Sequence, residues 1–185
     1  PYGWIEIAKL NSYLSQISRT RQQQVGYLEE ALVHISKARE LAPDNTDVLD
    51  LYAQTHMRLG SEQPGSLALA QGAYERLREL QPEDPAVLTA LGQIYLWNRD
   101  GEKAVEVLTE AARFNSSSRV LQSMLVEALL GTGKAEDAEK ALETLVALDP
   151  EDIENRVRLA ELRSDRGDHV GAIEVLEGAP SDDWL

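Results

Sequence analysis

The sequence predicts an all-α array of about ten helices in antiparallel pairs. Three observations carry that expectation. Alanines recur at Ala31, Ala70, Ala104, Ala138 and Ala172, at intervals of 39, 34, 34 and 34 residues. Companions stand at fixed offsets from each: large side chains four residues on (Ile35, Tyr74, Leu108, Leu142, Leu176) and Ala38, Leu77, Ala111, Leu145 and Ala179 seven on. Twelve residues on come Pro43, Pro82, Ser116, Pro150 and Trp184. Self-similarity at a fixed period of this length marks a repeat architecture.

Each repeat reads as two helices. In the third, Leu88, Leu91, Gly92 and Tyr95 follow the i, i+3, i+4, i+7 rule that puts apolar residues on one helix face. The fourth has Gln122, Leu125, Val126 and Leu129 there, the fifth Arg156, Leu159, Ala160 and Arg163, and the second Leu49, Tyr52, Ala53 and His56. The turns Asn98–Gly101, Gly131–Lys134 and Asp165–Asp168 contain the glycine that supplies a positive φ after a helix. Proline closes three of the second helices, because it lacks an N–H and disfavours helix in the residue before it. The repeats are expected over about 1–43, 46–82, 85–116, 119–150 and 153–185 of one array.

Two units depart from the period. In the first, Trp4, Ile7 and Ala8 have the right mutual spacing, but Ala31 lies about eleven residues late. Residues 19–29 are therefore expected to form a helix extension plus a longer turn. In the second, Gly60–Gly65 reads as a widened turn, placed either for binding or by harmless drift. The last unit carries Arg156 and Arg163 at apolar positions, as expected of a polar-faced cap or of a chain cut at that point.

These residues carry a family resemblance. The pattern W-x2-L-G-x2-Y…A-x3-F…P of the 34-residue tetratricopeptide repeat (TPR) is matched best by Leu88, Leu91, Gly92, Tyr95, Ala104, Leu108 and Ala111. The chain resembles a TPR protein over nearly its whole length. The resemblance implies a right-handed superhelical solenoid short of a full turn. No unit buries its apolar face alone, so stacking makes one continuous core, with small residues such as Gly92 and Ala160 allowing close approach.

Composition excludes several function classes. With 18 Lys+Arg against 32 Asp+Glu, the net charge is −14, and phosphate backbones need clustered cations, so nucleic acid is not an expected partner. The charge is graded: residues 1–42 sum to +1 and residues 151–185 to −6. No apolar run approaches the length of a membrane span. There is no cysteine, which excludes disulfides, thiolate metal sites and cysteine nucleophiles. The chain starts at Pro1 without an initiator Met, so a preceding targeting segment and the compartment are left open.

No catalytic constellation is found. Gly131-Thr132-Gly133-Lys134 hints at a phosphate loop, but Ala128 stands where the Walker pattern needs its first glycine and Ala135 where it needs a hydroxyl. His34, His56 and His169 lie in different units, so no metal site is expected. Glu75, Glu79, Glu102, Glu106, Glu136, Glu139 and Glu143 are read as solvated faces of second helices. No cofactor and no enzymatic activity are expected.

The TPR resemblance implies a concave groove lined by the first helices. Helix geometry assigns to it Tyr2, Ile5, Lys9 and Tyr13; Asp47, Asp50, Gln54, Met57 and Arg58; Ala86, Thr89, Gln93, Leu96 and Trp97; Val120, Ser123, Met124, Glu127 and Leu130; and Glu154, Val157, Glu161 and Asp165. From these, the candidate peptide-binding residues are Tyr13, Gln54, Met57, Arg58, Gln93, Trp97, Met124 and Glu127. Aromatic and Met residues suit an adaptable interface, although packing against neighbouring repeats accounts for Trp97 and Met124 as well. The acids toward Glu154 and Asp165 suit a basic portion of a ligand, or water.

Chaperone-binding TPR proteins hold a C-terminal carboxylate with Lys and Asn; this chain has Ile5, Lys9, Asp50 and Gln54 at those places, so that clamp is not expected. Asp84 to Leu108 is similar to a stretch of the TPR subunits of bacterial cytochrome c haem-lyase complexes, which bind an apocytochrome segment. The leading expectation is a non-catalytic module that binds a peptide or helix of a partner protein. The alternative is a self-associating scaffold, a homo-oligomer joined through its ends, suggested by the unfinished last unit and by Trp4 and Trp184.

Overall fold

Short polar residues start the helices. In the computed structural model, which describes residues 2–60 and 62–178, the side chains of Thr20, Asn45, Asp100, Ser118, Asp152 and Asp168 each accept from the backbone N–H three residues on. Each satisfies one of the donors that a helix start leaves unpaired. The described residues form ten α-helices and no strand. They pair as α1 (Tyr2–Ile17) with α2 (Arg21–Leu41), α3 (Thr46–Leu59) with α4 (Ser66–Leu80), α5 (Pro85–Trp97) before α6 (Gly101–Phe114), α7 (Arg119–Gly131) with α8 (Ala135–Leu148), and α9 (Ile153–Asp165) with α10 (His169–Glu177).

The second helices end alike. Ala42, Gln81, Asn115 and Asp149 share φ between −137° and −148° and donate their N–H to the carbonyl four residues back. Three of them precede a proline, which pushes the preceding residue out of the helical region. Asn115 precedes Ser116 and adopts the same conformation, so the repeat holds this ending without proline's help.

The chain forms two compact units, Pro1–Ile94 and Tyr95–Leu185, with the boundary inside α5. In the first, α2 packs on both α1 and α3, and α3 on α4; its core includes Leu28, Ile35, Leu49, Tyr52, Leu59 and Leu77. In the second, α7 packs between α6 and α8, and α9 between α8 and α10, around Leu108, Leu121, Leu142, Leu145 and Leu159. The repeat alanines Ala31, Ala70, Ala104 and Ala138 are fully buried. A larger side chain there would force the paired helices apart.

Several sequence expectations need correction. Residues 19–29 contain no longer turn: only residues 18–20 lie outside the helices, and the extra length lies in the 21-residue α2. Arg21-Gln22-Gln23-Gln24 are straight-chain helix formers, and Thr20 caps them. Ser15 Oγ then donates to the Gln24 carbonyl at 3.0 Å, and Gln24 Nε2 to the Ser18 carbonyl at 3.2 Å, which closes the turn tightly.

In the turn 98–101, Arg99 and not Gly101 takes the positive φ, at 60°. Gly101 starts α6, where an added Cβ would come within 2.7 Å of Thr132 Cγ2, so the glycine there serves close approach. Gly133 and Gly167 do have positive φ, at 74° and 89°. The segment Gly131–Lys134 is an interhelical turn, with Lys134 Nζ bonded to Glu102 at 2.6 Å. Gly60 and residues 62–65 lie between α3 and α4 as the wider turn expected, ending on Gly65 at φ 87°, while Ser61 lies outside the described residues.

Arg156 and Arg163 are not an outward polar face. Arg156 is buried and donates to the carbonyls of Pro150, Val175 and Gly178 at 2.7, 2.6 and 2.7 Å. It replaces an apolar contact with three charge-assisted bonds that tie α9 to the end of α10. Arg163 binds Glu139, which is buried and so not on a solvated face as expected. Ala179 and Trp184 lie outside the described residues.

Candidate functional site

In the first unit, a polar recess of about 330 Å³ opens between α3 and the start of α5. Gln54 Nε2 donates to Asp50 Oδ2 at 2.8 Å, and the Tyr74 hydroxyl donates to the same carboxylate. Burial pushes the Tyr74 phenol up, and the charge and hydrogen bond of Asp50 push it further. Tyr74 therefore stays a neutral donor. Asp47 and Asp84 complete the acidic lining, and Asp84 is already engaged, accepting from the Ala86 N–H at 2.8 Å.

The other first-unit candidates lie apart from this recess. Tyr13 is exposed on α1, and Met57 and Gln93 are half-buried. Arg58 reaches back to α1, donating to the Ser12 carbonyl at 3.3 Å and to Ser15 Oγ at 2.9 Å. Its guanidinium is thus tied to a neighbouring helix, with the Arg21 guanidinium also donating to the Arg58 carbonyl at 3.4 Å. Ile5, assigned to the groove by helix geometry, is buried, while Trp4 and Ile7, assigned to the core, are 40% and 43% exposed.

In the second unit, Met124 and Glu127 come together in a groove of about 670 Å³ between α7 and α9. Its apolar floor is Val120, Met124 and Leu145. Its rim carries Glu127, Arg119, Asn155 and Arg158. Arg119 is paired with Asp149, and Asn155 Nδ2 donates to Asp152 at 2.7 Å, leaving its carbonyl oxygen as an acceptor. Arg158 has no ion-pair partner among the described residues. Trp97 is 50% exposed at the end of α5 and is not among the residues that line this groove.

Sequence reasoning missed Asn155 and Arg158. Helix geometry put Glu154, Val157 and Glu161 of α9 in the groove, one residue away in rotation. Val157 and Glu161 instead line a cavity of about 300 Å³ on the open side of the α9–α10 hairpin, with Ala172, Ile173 and Leu176. An arginine on a first helix inside a segment of net charge −6 is the signal that could have pointed to Arg158.

The groove geometry has neither a nucleophile–base pair nor a metal-ligand set: among the described residues no group of three His, Cys, Asp or Glu is placed to hold an ion. No helix of the described residues is long and apolar enough to cross a membrane.

Models of the tetratricopeptide repeat match residues 65–119 in one version and residues 100–155 and 129–183 in another, so the matches together run over 65–183. Over 115 residues the chain is 30% identical to cellulose synthase 2 operon protein C of Komagataeibacter xylinus. That stretch is 61% of this chain, and it spans 9% of that relative's length. Among solved structures the fold is similar to that of YrrB, described as a TPR protein with an unusual peptide-binding site (TM-score 0.74, 18% identity, covering 95% of this chain and 82% of the other). It is also similar to that of MamA from Desulfovibrio magneticus RS-1 (TM-score 0.68, 22% identity, 96% and 98% covered).

Proposed function

Because this chain belongs to the tetratricopeptide repeat family, we propose that it is a non-catalytic protein-interaction module that holds a segment of a partner protein against its first helices. The observation that carries this reading is the groove between α7 and α9. It joins an apolar floor (Val120, Met124, Leu145) to a rim of Glu127, Asn155 and Arg158. Apolar side chains of a ligand gain by leaving water on that floor, and the Asn155 carbonyl and Arg158 guanidinium meet its backbone and polar groups.

In the first unit Gln54, Asp50 and Tyr74 offer further polar contacts, and Tyr13, Met57 and Gln93 add apolar and amide surface; in the second unit Trp97 adds exposed aromatic surface. Arg58 fixes α1 against α3 within the first unit. Peptides selected by display on the wild-type chain test the reading. Met124→Glu is expected to weaken the best of them by about tenfold or more with the helical circular dichroism spectrum unchanged. Affinity within about twofold for Met124→Glu would remove this groove as the binding site.

A further inference from the structure

Helix α9 carries three arginines on its inner positions, and the fold engages two of them. Arg156 donates to three backbone carbonyls, and Arg163 is held by Glu139 and Glu143. Arg158 differs. Glu154 and Glu161 stand four residues before it and three after, the spacings at which helix neighbours pair. Neither forms an ion pair with it among the described residues. The Arg158 side chain lines the α7–α9 groove instead and is half-buried there.

The neighbouring groups of the groove leave it no acceptor. Arg119 takes Asp149, and Asp152 accepts from both the N–H and Nδ2 of Asn155. A guanidinium has five donors and no acceptor, and Arg158 is partly withdrawn from water. It gains most from a carboxylate, which it can hold through two parallel charge-assisted bonds.

Glu127 does not favour the opposite choice, a basic ligand. It is exposed, so water satisfies its charge. It also lines an adjoining depression of about 460 Å³ together with Arg99. A ligand cation at Glu127 would therefore share its surroundings with two guanidiniums, Arg99 and Arg158. The chain as a whole carries −14, so a long run of acids is repelled at a distance. A single acid close to Arg158 is not.

We propose that the segment held in the α7–α9 groove carries one Asp or Glu side chain, seated on Arg158, beside a large apolar side chain seated on Met124. This rests on the reading of the groove as a partner-binding site and adds the charge of the partner. That charge is opposite to the basic portion suggested by the acids of α9 in the sequence.

A random-peptide library fused at both ends, so that only side chains supply carboxylates, is selected on the 185-residue chain. Met124→Gln, which removes the apolar contact without adding charge, marks the binders that use the groove. Those binders are expected to carry an acid beside a large apolar residue. Arg158→Glu is expected to weaken them by about tenfold or more. Replacing the peptide's acid by Lys is expected to restore binding to Arg158→Glu while weakening binding to the wild type. Arg158→Gln is expected to bind the acidic peptide and its amide counterpart equally, and carries the test should Arg158→Glu lose helicity. Groove binders that keep their affinity within about twofold on Arg158→Glu, or that carry a base in place of the acid, would overturn the proposal and leave the groove reading standing. A chain that selects no peptide, or only peptides indifferent to Met124→Gln, would remove the groove reading and the proposal with it.

Discussion

Arg163 on α9 donates from Nε to Oε1 of Glu139 on α8 at 3.0 Å, with the two side chains only 18% and 10% exposed. Arg166 adds a second contact to the same carboxylate at 2.7 Å, and Glu143 accepts from Arg163 on its open side. A half-buried pair that joins adjacent repeats is costly to break from one side, because the remaining charge is left poorly solvated. Glu139→Leu and Arg163→Leu are therefore each expected to lower stability by about 1–3 kcal/mol. The double replacement Glu139→Leu with Arg163→Leu is expected to recover most of that loss. Urea unfolding of the two single variants and the double variant, read as a coupling energy, checks both statements.

Arg156 fastens the end of the last described helix. Its three bonds to the carbonyls of Pro150, Val175 and Gly178 are lost in Arg156→Met, which keeps much of the side-chain volume. The expected cost is about 1.5–3 kcal/mol. It should appear as faster amide exchange at the C-terminal end of α10, with little change in α6 and α7.

Position within the repeat does not by itself set the cost of truncation. Leu142 and Leu176 occupy the same repeat position, one fully buried and the other 46% exposed. Leu142→Ala is expected to cost about 2–5 kcal/mol, and Leu176→Ala less than about 1 kcal/mol in the monomer. Comparable losses at the two sites would show that Leu176 is covered in the isolated chain.

His56 gives the first unit a pH dependence. Burial lowers its pKa below the ordinary 6.5, and the Arg39 guanidinium, seated 4.5 Å over the Tyr52 ring, lowers it further. Its Nδ1 shares a hydrogen bond with Ser66 Oγ at 3.2 Å. Below pH 6.5 the unfolded chain binds a proton that the folded chain refuses. This contribution to stability is complete above pH 6.5 and is lost as the pH falls toward the lowered folded value. His56→Gln, which keeps a hydrogen-bonding group without the titration, is expected to show a smaller fall in Tm between about pH 7.5 and about pH 5.5 than the wild type.

The phase of the repeat was legible because it is written in pair packing. Ala104 and Leu108 recur at fixed distance, and helices that must nest at that spacing leave no other choice of face. The turns were legible where a glycine must take positive φ, as at Gly133 and Gly167. They misled at Gly101, where the glycine serves close approach to Thr132 and Arg99 takes the strained conformation. Burial at the ends was not legible: Trp4 and Ile7 have the same spacing as Leu88 and Leu91, and exposure depends on whether a neighbour exists. Buried arginines were misread for a related reason. Polarity predicts the solvent face, yet Arg156 reaches carbonyls that only the folded hairpin brings together. The groove was half legible, since the periodicity placed Met124 and Glu127 on one side of α7 but missed Asn155 and Arg158, whose place depends on the rotation of α9 against its neighbour.

The central claim is that a partner segment is held between α7 and α9. Backbone amide shifts of the labelled chain, titrated with a display-selected peptide, test it most directly. The account predicts that the largest changes fall on Val120, Met124, Glu127, Asn155 and Arg158. Changes confined to other surfaces, with these five unmoved at saturation, would contradict it.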